Sequence, residues 1–306
     1  MRRLLPIGRS TSALIAMSAL VLTMSAAPVY AASKPSGIYA GMGQCPLTSS
    51  AMKDPTNLQV GCVISVTNGG SVTIGTTTVP LTSPITLQFG VYWPSSAPVI
   101  EFPDGSSANV YSTVPPANGK TLTADPLEVP IPGIANLIPG VTSVFAVVEL
   151  AGPITDFLPL ATGEDVAVFK LPIKLHLLNA LFGLSCFIGS NSNPIILKPT
   201  TGRTNPPPPA SPITGDPGVI GVQADPNGFD AVVASFTGAR LVDNSAGVPG
   251  ANGCGLFGVL DPIINRAFGL PSAPGHNTVI FSATNTSLAI DGSLTDLTKA
   301  LAASSK

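Results

Sequence analysis

Apolar and polar residues alternate along much of this chain, and the alternation predicts short strands. Residues 58–67 place Val60, Cys62, Ile64 and Val66 on one face, the period-two pattern of a half-buried strand. Asn68-Gly69-Gly70 then reads as a hairpin turn, with 71–79 as the returning strand. Residues 85–93 put Ile85, Leu87, Phe89, Val91 and Trp93 on one face, and such β-branched and aromatic residues suit a sheet packed on one side. In the second half, 143–150 and 165–177 are the clearest strands. The apolar phase changes across Leu171-Pro172, which predicts a bulge or an edge position there. Residues 229–236, 239–242, 277–283 and 287–290 are further strands. Helical spacing occurs over 256–268, where Pro262 suits a first turn, and over 294–303. Residues 127–139 are apolar but carry three prolines and Gly133, which neither a buried helix nor a membrane span tolerates. An irregular segment lining the core is expected there. The fold class expected is mainly β: a β-sandwich or distorted barrel with one or two short helices.

The N-terminus changes the picture. Arg2, Arg3 and Arg9 precede a charge-free stretch over 11–28, and Val29 and Ala31 are the small residues that signal peptidase prefers. The charge-free core is short for a span of about 20 residues. Residues 1–31 are therefore expected to be a cleaved signal peptide. A single β-rich extracellular domain over 32–306 would remain, with no transmembrane anchor. It would be secreted, or retained non-covalently at the cell envelope.

Four cysteines, Cys45, Cys62, Cys186 and Cys254, lie beyond that signal. An even count in an oxidising compartment predicts two disulfides. Of the three possible pairings, neighbour pairing, Cys45–Cys62 and Cys186–Cys254, closes a loop between strand-like segments in each case. The second bridge would span the proline-rich stretch 204–212, making it an excursion within one domain rather than a linker between two. No C-x-x-C occurs and only His176 and His276 could assist, so no metal site is expected.

Charged residues make up only 10% of the chain, against roughly 25% in ordinary soluble domains. The surface must be covered by Ser, Thr, Asn, Gly, Pro and some apolar groups. Lipid, glycan or another copy of the chain are the partners that suit it. The net charge is −2 and there is no basic patch, so nucleic acid is not expected.

A hydrolase needs an activated nucleophile and a base. No G-x-S-x-G elbow occurs, and any triad would have to use His176, inside a strand, or His276, on a turn. Glu149 is the one acid embedded in an apolar strand, so burial could raise its pKa. Alternation puts it on the polar face as easily. Asp225, Asn227 and Asp230 around Gly228 resemble part of a calcium loop without its downstream bidentate acid. No phosphate-binding glycine loop is present, and no catalytic residue or cofactor is assigned. The function expected is a non-enzymatic envelope or extracellular structural or binding protein, with an apolar molecule or lipid as its ligand class. The alternative is a secreted hydrolase using His276 or His176.

The run Asn179-Ala180-Leu181-Phe182-Gly183-Leu184-Ser185-Cys186-Phe187-Ile188-Gly189-Ser190, with Pro194-Ile195-Ile196-Leu197 and Thr200-Thr201-Gly202 after it, resembles a group of uncharacterised secreted proteins of actinobacteria. Asn252-Gly253-Cys254-Gly255 and the stretch from Gly269 to Thr278 are similar to the same group. The likeness covers about residues 143–290. It implies that Cys186 and Cys254 are partners, and it implies no activity.

Overall fold

The computed structural model describes residues 34–129 and 143–305. The expected signal peptide lies outside them, as do residues 130–139 of the proline-broken stretch 127–139, whose first three residues form a strand rather than the irregular segment expected. Among the described residues, sixteen strands and two α-helices follow in chain order. The first eight strands are β1 (Asn57–Ile74), β2 (Thr77–Pro80), β3 (Ile85–Pro94), β4 (Val99–Glu101), β5 (Ser107–Asn109), β6 (Ser112–Val114), β7 (Leu122–Ala124) and β8 (Leu127–Val129). The others are β9 (Val144–Leu150), β10 (Leu171–Leu178), β11 (Phe187–Ile188), β12 (Ile195–Leu197), β13 (Val219–Ala224), β14 (Val232–Asp243), β15 (Ala251–Asn252) and β16 (Thr278–Asp291). Helix α1 (Asp261–Phe268) precedes β16, and α2 (Leu294–Ala303) follows it.

Two antiparallel sheets pack face to face as a β-sandwich. The larger runs β13-β14-β16-β1-β3-β6, with β2 added to β1 and β7 to β3. The smaller runs β15-β11-β10-β9-β8, with β12 on β10. Val63, Leu87, Phe89 and Val91 of the larger sheet meet Ala146, Leu171, Ile173, Leu175 and Leu177 of the smaller in one buried core. The alternation of β10 is strict, with Leu171, Ile173, Leu175 and Leu177 inward. Pro172 sits where β9 has already ended: its carbonyl accepts from Ala151 N at 2.9 Å, and the ladder to β9 starts at Ile173. This is not the bulge or edge position expected from the phase change, because β10 is flanked on both sides and Pro172 pairs with Ile196 of β12. The phase changes because the strand begins only at Leu171. Residues 165–170 are not strand, contrary to the expectation. They are irregular, held by a bridge from Thr155 to Lys170 and by backbone hydrogen bonds from Leu158 N to Val168 O at 2.7 Å and from Val168 N to Pro199 O at 2.8 Å.

The hairpin expected at Asn68-Gly69-Gly70 is not formed. β1 runs straight through these residues, and the chain turns at Gly75-Thr76 instead. Two further breaks in the alternation are also absorbed into continuous strands, β14 through Gly238 and β16 through Ala283. All three irregularities fall at one level, because Thr67 pairs with Thr284 and Thr284 with Ala239. There the register of β14 shifts, Gly238 and Ala283 take positive φ, and Asn68 Nδ2 donates to Ala283 O at 3.1 Å. What resembles three turns in sequence is one bend running across three neighbouring strands, the effect that bulges have.

The larger sheet is covered on its outer face as well. Val60, Cys62, Val233 and Ala289 point away from the sandwich core, into a second cluster with Tyr39, Met42 and Met52 of the lead-in and Leu297, Ala300 and Leu301 of α2. Cys45 is bonded to Cys62, which pins the lead-in to β1. Ser36 N and Oγ both reach Ser304 O, at 3.0 and 2.7 Å, joining the lead-in to the end of α2.

Cys186 is bonded to Cys254. The stretch 204–212 lies between them and is held at its base: Thr204 N donates to Ile213 O at 2.9 Å, and Asn244 Nδ2 to Ser211 O at 2.9 Å. The helix expected over 256–268 is shorter. Phe257 and Gly258 take positive φ, so residues 256–258 form a separate turn. Helix α1 begins at Asp261 with Pro262 in its first turn and ends on Gly269 in the left-handed region, the usual helix stop.

Candidate functional site

Between the sheets lies a cavity of ≈160 Å³. Its walls are the inward faces of β1, β3, β9, β10, β14 and β16, with Leu87, Phe89, Ala146, Ile173, Leu241 and Phe281 representative. Phe89 meets Phe157 edge to face at 5.2 Å between ring centres. Several polar groups that reach the cavity are already engaged, whereas the Thr77 hydroxyl, also in its wall, is buried without a hydrogen-bond partner. Thr67 and Thr284 share a hydroxyl hydrogen bond of 2.9 Å across the β1–β16 pair. Asp243 accepts from Lys198 N at 2.6 Å and Ser245 N at 2.8 Å. Asn277 donates to Ala246 O and Ala273 O and accepts from Gly75 N at 2.9 Å. With these groups bonded to backbone or to one another, the wall offers mainly hydrocarbon. An apolar cavity of about 150 Å³ is enough to take up a small apolar molecule.

The titratable residues singled out in the sequence lie elsewhere. Glu149 on β9 and His176 on β10 face outward, 3.3 Å apart from Oε1 to Nδ1, and Lys174 Nζ is 3.3 Å from the same carboxylate. The His176 ring stacks on Phe187 of β11 at 4.4 Å, with Lys174 Nζ 4.9 Å from that ring's centre. His176 Nε2 is buried without a hydrogen-bond partner. The imidazole is thus placed by an acid on one side and covered by an aromatic ring, with no hydroxyl in reach of its second nitrogen. His276 is exposed on its turn and has no side-chain hydrogen bond or ion pair among the described residues. The two histidines belong to different parts of the surface, on β10 and on the turn before β16.

Asp225 closes its own turn, accepting from Asn227 N at 2.8 Å and Phe229 N at 3.2 Å. This is the turn-forming use of Asp rather than a calcium loop. No group of three His, Cys, Asp or Glu residues is placed to hold a metal ion among the described residues. Near this turn, burial foremost and then Asp225 push the Tyr39 hydroxyl well above its ordinary pKa. Burial likewise raises Asp291 above the usual carboxylate range, although Ser293 N donates to it. These groups underlie α2 and the lead-in, and they hold structure together rather than face a cleft.

Sequence reasoning did not find two features. The cavity depends on how side chains from distant strands fail to meet, which no local pattern records. The exposed apolar loops beside Cys186–Cys254 had a signal in Phe182-Gly183-Leu184 and Gly255-Leu256-Phe257-Gly258, large apolar residues framed by glycines. Among the described residues no helix is long and apolar enough to cross a membrane. The chain matches no protein-family model, no curated protein and no solved structure.

Proposed function

We propose that this chain is an exported, non-catalytic β-sandwich protein that holds a small apolar molecule between its sheets. The observation that carries this reading is the ≈160 Å³ cavity, walled mainly by Val, Leu, Ile and Phe, with Thr67, Thr284 and Asp243 in its wall already hydrogen-bonded. A site of that composition recognises hydrocarbon by exclusion of water and sets orientation with few polar contacts. Export by the N-terminal signal, residence outside the cell or at the envelope, and kinship with secreted actinobacterial proteins belong to the same reading. The two disulfides accord with an oxidising compartment.

Native mass spectrometry of protein purified from its own host tests it. A co-purifying small molecule, removed by organic extraction and replaced saturably by a benzene-sized apolar probe, is the expected result. Protein of bare polypeptide mass that also fails to take up the benzene-sized probe would overturn the reading. The hydrolase reading has one observation in its favour, the Glu149–His176 pair. It requires ester or glycoside turnover that His176→Ala abolishes.

A further inference from the structure

Two loops beside the Cys186–Cys254 bridge carry large apolar side chains directed into solvent. Leu184 is 90% and Phe257 95% exposed, and Leu181, Leu256, Val259 and Ile263 are each more than half exposed. The loops form one unit. The disulfide joins them, Gly255 N donates to Phe182 O at 2.7 Å, and Phe187 pairs with Asn252 at their base. Phe257, a bulky residue, is held at φ 55° and ψ 25°, a backbone state that costs roughly 1–2 kcal/mol without glycine. Strain of this kind, spent on projecting a ring into water, points to a contact.

From these observations we infer that the two loops dock the protein onto a lipid layer by inserting into its hydrocarbon. Four features select that occupant over a protein. No Asp, Glu, Lys or Arg occurs from residue 177 to 197 or from 244 to 260, so neither loop carries a charge into the contact. The side chains project singly from loop tips instead of walling a groove, and a fluid layer can close around them. Six apolar side chains fall well short of the roughly 20–30 residues that each side of a stable protein interface presents. Backbone N–H groups beside the tips are bonded within the chain, which lowers the cost of approaching an apolar medium, where unpaired N–H groups are costly. Gly253 and Cys254 donate to the Asp261 carboxylate at 3.2 and 2.7 Å, Leu181 to Asn179 Oδ1 at 2.8 Å, and Val259 and Leu260 to carbonyls within their own loop.

Flotation of residues 32–306 with phosphatidylcholine vesicles tests the docking. The segment contains the whole compact unit Ser33–Lys306. The parent protein is expected to float. Replacing both Leu184 and Phe257 with Ser should weaken partition by at least about 100-fold and leave the melting temperature unchanged, because neither side chain is packed. Flotation should not weaken at high salt. A parent protein that stays with the unbound fraction, a double variant that floats equally, or a parent dimer that the double variant dissociates would each overturn the inference, the last in favour of a second copy. The docking does not depend on occupancy of the cavity. An Ala146→Leu chain should float like the parent, so the two readings fail separately.

Discussion

Gly70 on β1 lies directly against the carbonyl of Ile280 on β16, so close that a β-carbon at position 70 would collide with it. Its φ of 128° is closed to most side chains as well. Gly70→Ala should therefore cost about 3 kcal/mol. Its neighbour Gly69 has ordinary contact space toward Ser282, and Gly69→Ala should cost under about 1 kcal/mol. Urea unfolding of the two variants checks this. Equal losses would mean that the bend in β1 adapts and the close approach is not rigid.

Ala146 on β9 is buried and faces the cavity. Ala146→Leu adds three carbons to that space and should leave the fold as stable or up to about 1 kcal/mol more stable. Uptake of a benzene-sized apolar probe should fall at least about tenfold, roughly 1.4 kcal/mol. Unchanged uptake would place the ligand elsewhere.

The bridges close loops of different length, with sequence separations of 17 for Cys45–Cys62 and 68 for Cys186–Cys254. Loop-closure entropy gives about 3 kcal/mol for the first and about 4 kcal/mol for the second. Paired Cys→Ala variants should follow that order in denaturant midpoint. A larger loss from the shorter loop would mean that packing of the lead-in on β1, rather than chain entropy, sets the cost.

Asp291 gives a pH dependence with a defined sign. Burial, ahead of the charges of Asp296 and Asp230, raises its pKa in the folded protein. The native state then holds the proton more tightly than the unfolded chain does. The associated stability is full below the ordinary carboxylate range near pH 3.8 and is lost as pH rises through the raised value. Asp291→Asn should melt higher than the parent at pH 7, and the difference should shrink toward pH 4. Thermal melts of both chains across that range check it. A difference independent of pH would assign the effect to the hydrogen bond from Ser293 N instead.

Strand identity was legible wherever one face alone is buried. β3, β9 and β10 follow their alternation, with Leu87, Phe89 and Val91 or Leu171, Ile173, Leu175 and Leu177 inward. β1 deceived in a specific way. Its Val60-Cys62-Ile64 face packs under α2 and the lead-in, while Val63 faces the sandwich core, so both faces are buried and period two no longer says which is inside. The glycine-rich breaks at 68–70 and 238 were misleading because the same residues permit a turn or a bend. Only the partner strand decides between them. Of the candidate sites, the outward Glu149 and His176 agree with strand alternation. The cavity could not be read, since it arises from the sum of side-chain volumes across strands of both sheets.

That unfilled volume has a consequence for how the protein responds to compression. Hydrostatic pressure favours whichever state occupies less space, and unfolding lets water into internal cavities. A sandwich with ≈160 Å³ unclaimed by its own side chains should unfold at lower pressure than one whose sheets interlock fully. A bound hydrocarbon that occupied the space would move the transition upward. The pressure midpoint would thus report, without any label, whether the interior carries cargo.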